Sequence, residues 1–291
     1  MPAELVPLIC ALAAALAFAV GDQCQYLGLR SLDSRSGTMI SIVTSTACFW
    51  LLAPFLLDIG YLGATGILVF ALIGLFRPAL SANLSVAGVR HLGPTLSSTL
   101  ASTSPLFGTA LGVLWLGEVL SWPVAVGTAG IIGSIVLLSR RGGGGAHDWP
   151  LWALGLPIAA AAIRALAHVL SKVGMETVPD AYLAGLVSFT VSSVVLLSSQ
   201  AARRERPRIL IGGGSTLWFV GSGVSMALAI TLLNQALLTG EIIVVVPIVS
   251  ASPVFTLLLS IAVFRRERLT PRLVAAVAVV VPSVILIALG R

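Results

Sequence analysis

Ser104-Pro105-Leu106-Phe107 leads on to Gly117-Glu118-Val119-Leu120-Ser121, and the same plan returns in Ser252-Pro253-Val254-Phe255 followed by Glu267-Arg268-Leu269-Thr270. Ser104, Pro105 and Phe107 lie 148 residues before Ser252, Pro253 and Phe255. Gly93 precedes Gly240 by 147 residues and Glu118 precedes Glu267 by 149, so the register drifts by one residue at each landmark. A recurrence at about half the chain length predicts duplication, with one half built on the plan of the other.

The surrounding sequence says what kind of unit is duplicated. Of the 291 residues 57% are hydrophobic and 10% charged, with a mean hydropathy of +1.05, whereas soluble domains carry about 25% charged residues. This excludes a water-soluble protein, and the net charge of +6 is read first as membrane orientation rather than as affinity for nucleic acid. A helix crosses hydrocarbon with roughly 20 mostly apolar residues, because every backbone N–H and C=O must be paired where there is no water. Ten runs meet that requirement, near Leu5 to Gly28, Gly37 to Leu57, Gly66 to Val89, Thr95 to Leu116, Trp122 to Ser139, Leu151 to Ser171, Ala181 to Ser199, Thr216 to Leu238, Ile242 to Phe264 and Arg272 to Leu289. The fold class expected is therefore all-α integral membrane, with ten transmembrane helices. Five spans per half is an odd number, which makes the second copy enter the membrane upside down and predicts two inverted five-helix repeats. Gly142 to Gly145 mark a flexible linker at the midpoint, so the domains read as 1–141, a Gly-rich linker 142–150, and 151–291. The first apolar run lacks the positive flank of a secretory signal peptide and is read as a retained span. Cys10, Cys24 and Cys48 all sit in apolar runs at spacings that suit neither a metal site nor a disulfide framework.

The segment from Ser104-Pro105-Leu106-Phe107 through Glu118 and Ser121, with its counterpart from Ser252 to Thr270, resembles the EamA domain of the drug/metabolite transporter superfamily. The likeness covers essentially the whole chain. It implies a ten-helix carrier whose central path is lined mainly by the first, third and fourth helices of each half, with the fifth helices at the periphery. It implies neither a particular substrate nor a direction of transport. The second half departs from the pattern, since Arg265 and Arg266 stand where an apolar-Gly pair is usual before Glu267.

With Arg272 counted as interfacial at the start of the last span, three formally charged side chains fall within the predicted spans, namely Asp22, Arg77 and Arg164. Each costs at least roughly 2.5–3.5 kcal/mol at a helix centre, so each is expected to face a protein cavity or another charge. A guanidinium presents a planar fork suited to carboxylate or phosphate, which makes Arg77 and Arg164 an anion-binding pair on one reading. On the other, they are braces bonded to backbone carbonyls or to Asp22. Ser81 follows Arg77 by four residues and His168 follows Arg164 by four, so each shares a helix face with its arginine. Pro78 should free the carbonyl of Gly74 beside Arg77. Asp22, with Gln23 and Gln25 beside it, and His168 are the candidates for carrying a coupling ion. Pro105 and Pro253 release the carbonyls of Ala101 and Val249, and paired interruptions in corresponding helices point to a midplane site. Ser102 adds a hydroxyl before the first of these bends, and Asn234 and Gln235 add amides near the end of the eighth span. Gly108-x-x-x-Gly112 reads as a helix contact.

No Walker loop, dinucleotide glycine fingerprint, His-Glu-x-x-His or pair of intramembrane carboxylates occurs, so the chain is not expected to be an enzyme, to hold a metal or to need a cofactor. Arg203 to Arg208 lie between spans and read as an orientation signal, not as a nucleic-acid site. The functional expectation is a secondary active transporter of a small organic metabolite, anionic or zwitterionic, working by alternating access. Its partners would be that small-molecule substrate, the lipid bilayer and a coupling proton or sodium ion. Two alternatives stand beside it: a divalent-cation, magnesium-type permease or channel, against which a single intramembrane carboxylate argues, and a non-transporting membrane sensor. The basic residues outside the spans collect in the loops after spans one, three, five, seven and nine. Those loops should be cytoplasmic, which makes this a multi-pass plasma-membrane protein with both termini outside.

Overall fold

A computed structural model describes residues 5–61, 63–77, 80, 81, 84, 85, 87, 88, 91, 92, 97, 100–139, 151–202, 214–263 and 271–290. Its helices are α1 (Val6–Gly28), α2 (Ser34–Leu56), α3 (Gly66–Phe76), α4 (Ser104–Leu116), α5 (Trp122–Ser139), α6 (Leu151–Thr177), α7 (Ala181–Ala202), α8 (Gly214–Thr239), α9 (Ile242–Ser250), α10 (Ser252–Ala262) and α11 (Pro271–Leu289). No strand occurs among the described residues. Six apolar helical stretches are long enough to cross a membrane, with Ile242–Ala262 taken as one, and four shorter apolar helices complete the ten that hydropathy predicts. The linker at 142–150, Gly93, Pro78, Arg203 to Arg208, and Arg265 to Thr270 with Glu267 lie outside the described residues.

Asp33 starts α2 by accepting the N–H of Ser36 at 3.0 Å. That hydrogen bond holds its carboxyl below the usual carboxylate range.

The spans expected at Gly66 to Val89 and Thr95 to Leu116 are not single rods. Helix α3 stops at Phe76, and Arg77 is extended at φ −123°, ψ 136°. The next residue in the chain is Pro78, whose ring disfavours helical backbone for the residue before it. The fourth span breaks at Thr103, which has φ −75° and ψ −6°. The ninth breaks at Ala251, with φ −75° and ψ −1°. Pro105 and Pro253 were expected to bend continuous helices. They stand instead in the first turn of α4 and α10, where a missing N–H costs nothing, so the chain restarts a helix rather than kinking one. The two breaks agree bond for bond. Thr103 N–H donates to Leu100 at 3.2 Å and Leu106 N–H to Thr103 at 2.9 Å; Ala251 N–H donates to Ile248 at 3.1 Å and Val254 N–H to Ala251 at 2.9 Å.

Packing between helices repeats in the same way. Helix α1 lies against α8 as α6 lies against α3, α1 against α10 as α6 against α4, and α2 against α8 as α7 against α3. Small residues set the closest approaches. Gly223 faces the carbonyl of Ser41, and Gly74 faces the carbonyl of Ser188. In return Ser41 Oγ donates to the carbonyl of Phe219 at 3.1 Å, and Ser188 Oγ to that of Phe70 at 3.0 Å. Each is the same contact made once from either half. Where α2 meets α7, Thr46 and Ser193 share a hydrogen bond of 2.7 Å, and these two residues are themselves counterparts 147 positions apart. The GxxxG stripe serves as a helix contact, with Gly108 against Val246 and Gly112 against Ile243 of α9.

A Cβ added at Gly74 or at Gly223 would be driven into backbone of the facing helix, which cannot yield as a side chain can. Gly74→Ala and Gly223→Ala should each cost about 1–3 kcal/mol through overpacking and lower the thermal unfolding midpoint in detergent. Gly155→Ala, whose Cβ would meet open space, should not.

Candidate substrate cavity

Between α3, α6, α7 and α8 lies a small, partly open cavity lined by Ile73, Arg77, Ala167, His168, Ser171, Ala184, Ser188, Phe189, Met226, Ile230 and Asn234. Local sequence explains how its polar members arrive there. Arg77 comes off the end of α3, with its N–H still bonded to the Ile73 carbonyl at 2.9 Å, because the following proline turns the chain out of the helix. His168 projects from α6 one turn after Arg164. Asn234 on α8 is held from two sides: its Oδ1 accepts from Ser171 Oγ at 3.0 Å and its Nδ2 donates to the Ala181 carbonyl at 3.1 Å. The amide thereby ties three helices together and fixes that wall.

The two basic residues are in the opposite condition. Among the described residues the Arg77 guanidinium makes no hydrogen bond and no ion pair. His168 is 8% exposed, and neither ring nitrogen has a partner among the described residues. Buried polar groups are normally satisfied, so the His168 ring beside the Arg77 guanidinium gives this wall hydrogen-bonding capacity that an anionic ligand can use. Arg164 lies within electrostatic range of both but is outside the cavity lining. Its Nη2 donates to the Ala101 carbonyl at 3.3 Å, the carbonyl that Pro105 deprives of its helical donor. Ser104 Oγ reaches back to the Ala161 carbonyl at 3.3 Å. Arg164 therefore braces the break in the fourth span against α6.

The other sequence candidates disperse. Because Arg77 is extended, the four-residue spacing to Ser81 no longer means a shared helix face; Ser81 and Ser102 are buried and bonded but outside the lining. Gln235 is half-buried and outside it as well. Asp22 pairs with neither arginine. Its carboxylate accepts from Thr256 Oγ1 at 3.4 Å, while Gln23 Nε2 donates to the Thr256 carbonyl at 2.7 Å, so both grip α10 just beyond its break. No cluster of three or more His, Cys, Asp or Glu that could hold a metal occurs among the described residues, and the three cysteines are free.

One constellation escapes sequence reasoning. Helix α6 continues past Ser171 to Thr177, so Lys172, which hydropathy puts in a loop, sits inside the helix. Its Nζ lies 2.7 Å from Glu118 Oε1 and 2.8 Å from the Gly240 carbonyl. Glu118 in turn accepts the N–H groups of Ile242 at 2.8 Å and Ile243 at 3.0 Å, capping α9. The Glu-x-x-Ser motif is thus no local turn: its glutamate caps a helix in the other half, and Ser121 Oγ donates to the Gly290 carbonyl at the end of α11. Gly117 makes the reversal possible with φ +69°, a left-handed conformation that glycine adopts without a Cβ clash. Gly112, lacking a side chain, leaves room for the carboxylate. The available signal was the glutamate's return in both halves, which a helical-spacing argument does not extend to distant partners.

The sequence pattern of the EamA-like transporter family matches residues 5–140 and again residues 151–289. A solved structure described as "Crystal structure of protein" superposes with a TM-score of 0.78 over 99% of this chain and 96% of its own, at 16% identity. At that identity the likeness concerns the fold. No protein of curated function matches the chain.

Removing one partner of a buried ion pair costs about 3–5 kcal/mol, and Glu118 is 6% exposed. Glu118→Ala should therefore destabilise the protein by that order in chemical or thermal unfolding, because it strands Lys172 and two N–H groups together. Glu118→Gln keeps an acceptor for the helix end and should cost less.

Proposed function

We propose, on the premise that this chain belongs to the EamA-like transporter family, that it is a secondary active transporter moving a small organic metabolite, anionic or zwitterionic, by alternating access. The observation that carries the reading is one cavity wall that holds the Arg77 guanidinium together with buried His168, whose ring nitrogens have no partner among the described residues. A substrate carboxylate or phosphate would complete both. Arg164 would contribute its charge to the field at the site while holding the helix break. The halves, 1–141 and 151–291 joined by 142–150, would be related by an axis in the membrane plane and would rock against each other. The reciprocal contacts across the halves, and the meeting of the counterparts Thr46 and Ser193, support such an axis. The breaks at Thr103 and Ala251 supply the pivots. Asp22, bonded to Thr256 one turn beyond the second pivot, is the coupling group through which a proton or sodium ion would act.

In the plasma membrane, the basic loops after the odd-numbered spans would face the cytoplasm and both termini the outside. Translocating a basic loop works against the membrane potential at about 2.3 kcal/mol per charge per 100 mV.

Truncating a desolvated charge that contacts its ligand costs on the order of 2–5 kcal/mol. Arg77→Gln should weaken substrate binding at least tenfold with little change in folded yield, and Arg164→Gln should lower folded yield first, as read by size-exclusion of the purified protein and by ligand-induced stabilisation. Unchanged affinity in Arg77→Gln would remove the arginine from the site. For orientation, a reporter fused after Arg291 should fluoresce outside, and a cysteine added there should react with an impermeant alkylating agent in intact cells. Labelling only after permeabilisation would reverse the assignment.

A further inference from the structure

We propose that the transported solute is an organic anion with an apolar body and no ammonium group, an inference that rests on the transport reading above and narrows it. The sequence has 11 Asp and Glu, and Asp22 alone lies within a predicted span. Glu118 is taken up by Lys172 and the start of α9, Asp180 by the N–H groups of Tyr182 and Leu183 at the start of α7, and Glu176 and Glu241 are exposed. Asp22 is held at Thr256 on α10, and none of these acids is in the cavity lining. The stretch from Pro78 to Thr99, which runs on from Arg77, contains no acid at all.

A zwitterion would thus bring its ammonium into a space with Arg77 and His168 on the wall, Arg164 within electrostatic range and no carboxylate among the described lining residues to receive it. The remaining polar groups offer only part of what an ammonium needs. Asn234 Oδ1, which accepts from Ser171, and Ser188 Oγ, which donates to the Phe70 carbonyl, keep acceptor lone pairs but carry no negative charge to offset Arg77. The rest of the wall is Ile73, Phe189, Met226 and Ile230 with two alanines, which solvates hydrocarbon and not a charge. A donor pair at one place and an apolar wall elsewhere suit a carboxylate on a short aliphatic or aromatic body. Discrimination against the amino-bearing twin then arises from like-charge repulsion and an unpaired buried ammonium, the repulsive component of specificity.

Matched pairs test this on the full-length purified protein: propanoate with alanine, 4-methylpentanoate with leucine, and 3-phenylpropanoate with phenylalanine, each scored by thermal stabilisation in detergent and by uptake into proteoliposomes. We expect at least one of the two larger carboxylates to bind at least tenfold more tightly than its amino-acid twin and than propanoate. That binding should fall at least tenfold in Arg77→Gln, and in His168→Phe should the first variant fail to fold. An amino acid binding as well as its carboxylate, or 4-methylpentanamide matching 4-methylpentanoate, would overturn the inference while leaving the transporter reading in place. The same holds if all six probes fail while another solute is carried. Failure of every solute to cross would overturn both.

Discussion

A peptide carbonyl in hydrocarbon has no water to bond, so it must find a donor within the protein or the chain must stay helical. That constraint organises this molecule. Among the described residues its spans are helical apart from Arg77, which is extended, and Thr103 and Ala251, where the helix tightens into an i→i+3 turn before restarting. At Thr103 the requirement is met in a specific way: Pro105 cannot donate to Ala101, and the guanidinium of Arg164 does so from α6. A cation that is costly in lipid and a carbonyl that is costly without a donor satisfy each other. The break is thereby fixed beside the helix that also carries His168, which puts the altered backbone and the cavity on the same element.

The cavity owes its character to a division of labour between residues of similar type. Asn234 and Ser171 are polar but spent, each bonded to the other or to backbone, and they act as structure. Arg77 and His168 face the cavity, and the His168 ring is without a partner among the described residues. Two cationic side chains and an imidazole gathered with no acid among them form a field that an anion relieves. The same reasoning sets Asp22 apart. Its contacts run to α10 rather than to the arginines, so it can influence the second helix break without neutralising the site.

Duplication does more than supply a second set of helices. Ser41 to Phe219 and Ser188 to Phe70, or Gly223 and Gly74 under facing carbonyls, show each half using the other as the template for its own packing. Each interface is therefore a contact between the halves rather than within one. Glu118 makes the dependence explicit, since it ends the first half's fourth span and caps the second half's α9. Lys172 secures it from the second half's first helix, so the start of α9 is fixed by residues of both halves. The halves also differ: Arg77 and Arg164 lack arginine counterparts, and α3 ends at Phe76 where its counterpart α8 runs unbroken to Thr239.

Sequence by itself determined the membrane class, the number of spans, the duplication and its register, and the presence of costly charges at Asp22, Arg77 and Arg164. These follow from composition and spacing along the chain, because burial in lipid acts on each segment separately. It also marked Pro105 and Pro253 as interruptions, though not that the chain would start new helices there. Tertiary structure alone decided which arginine lines the cavity and which braces a break, that Ser81 is outside the lining, and that Lys172 lies inside a helix with Glu118 as its partner. Those outcomes depend on contacts between residues tens to hundreds of positions apart, and a side chain's partner is chosen by how helices pack, which no local pattern encodes.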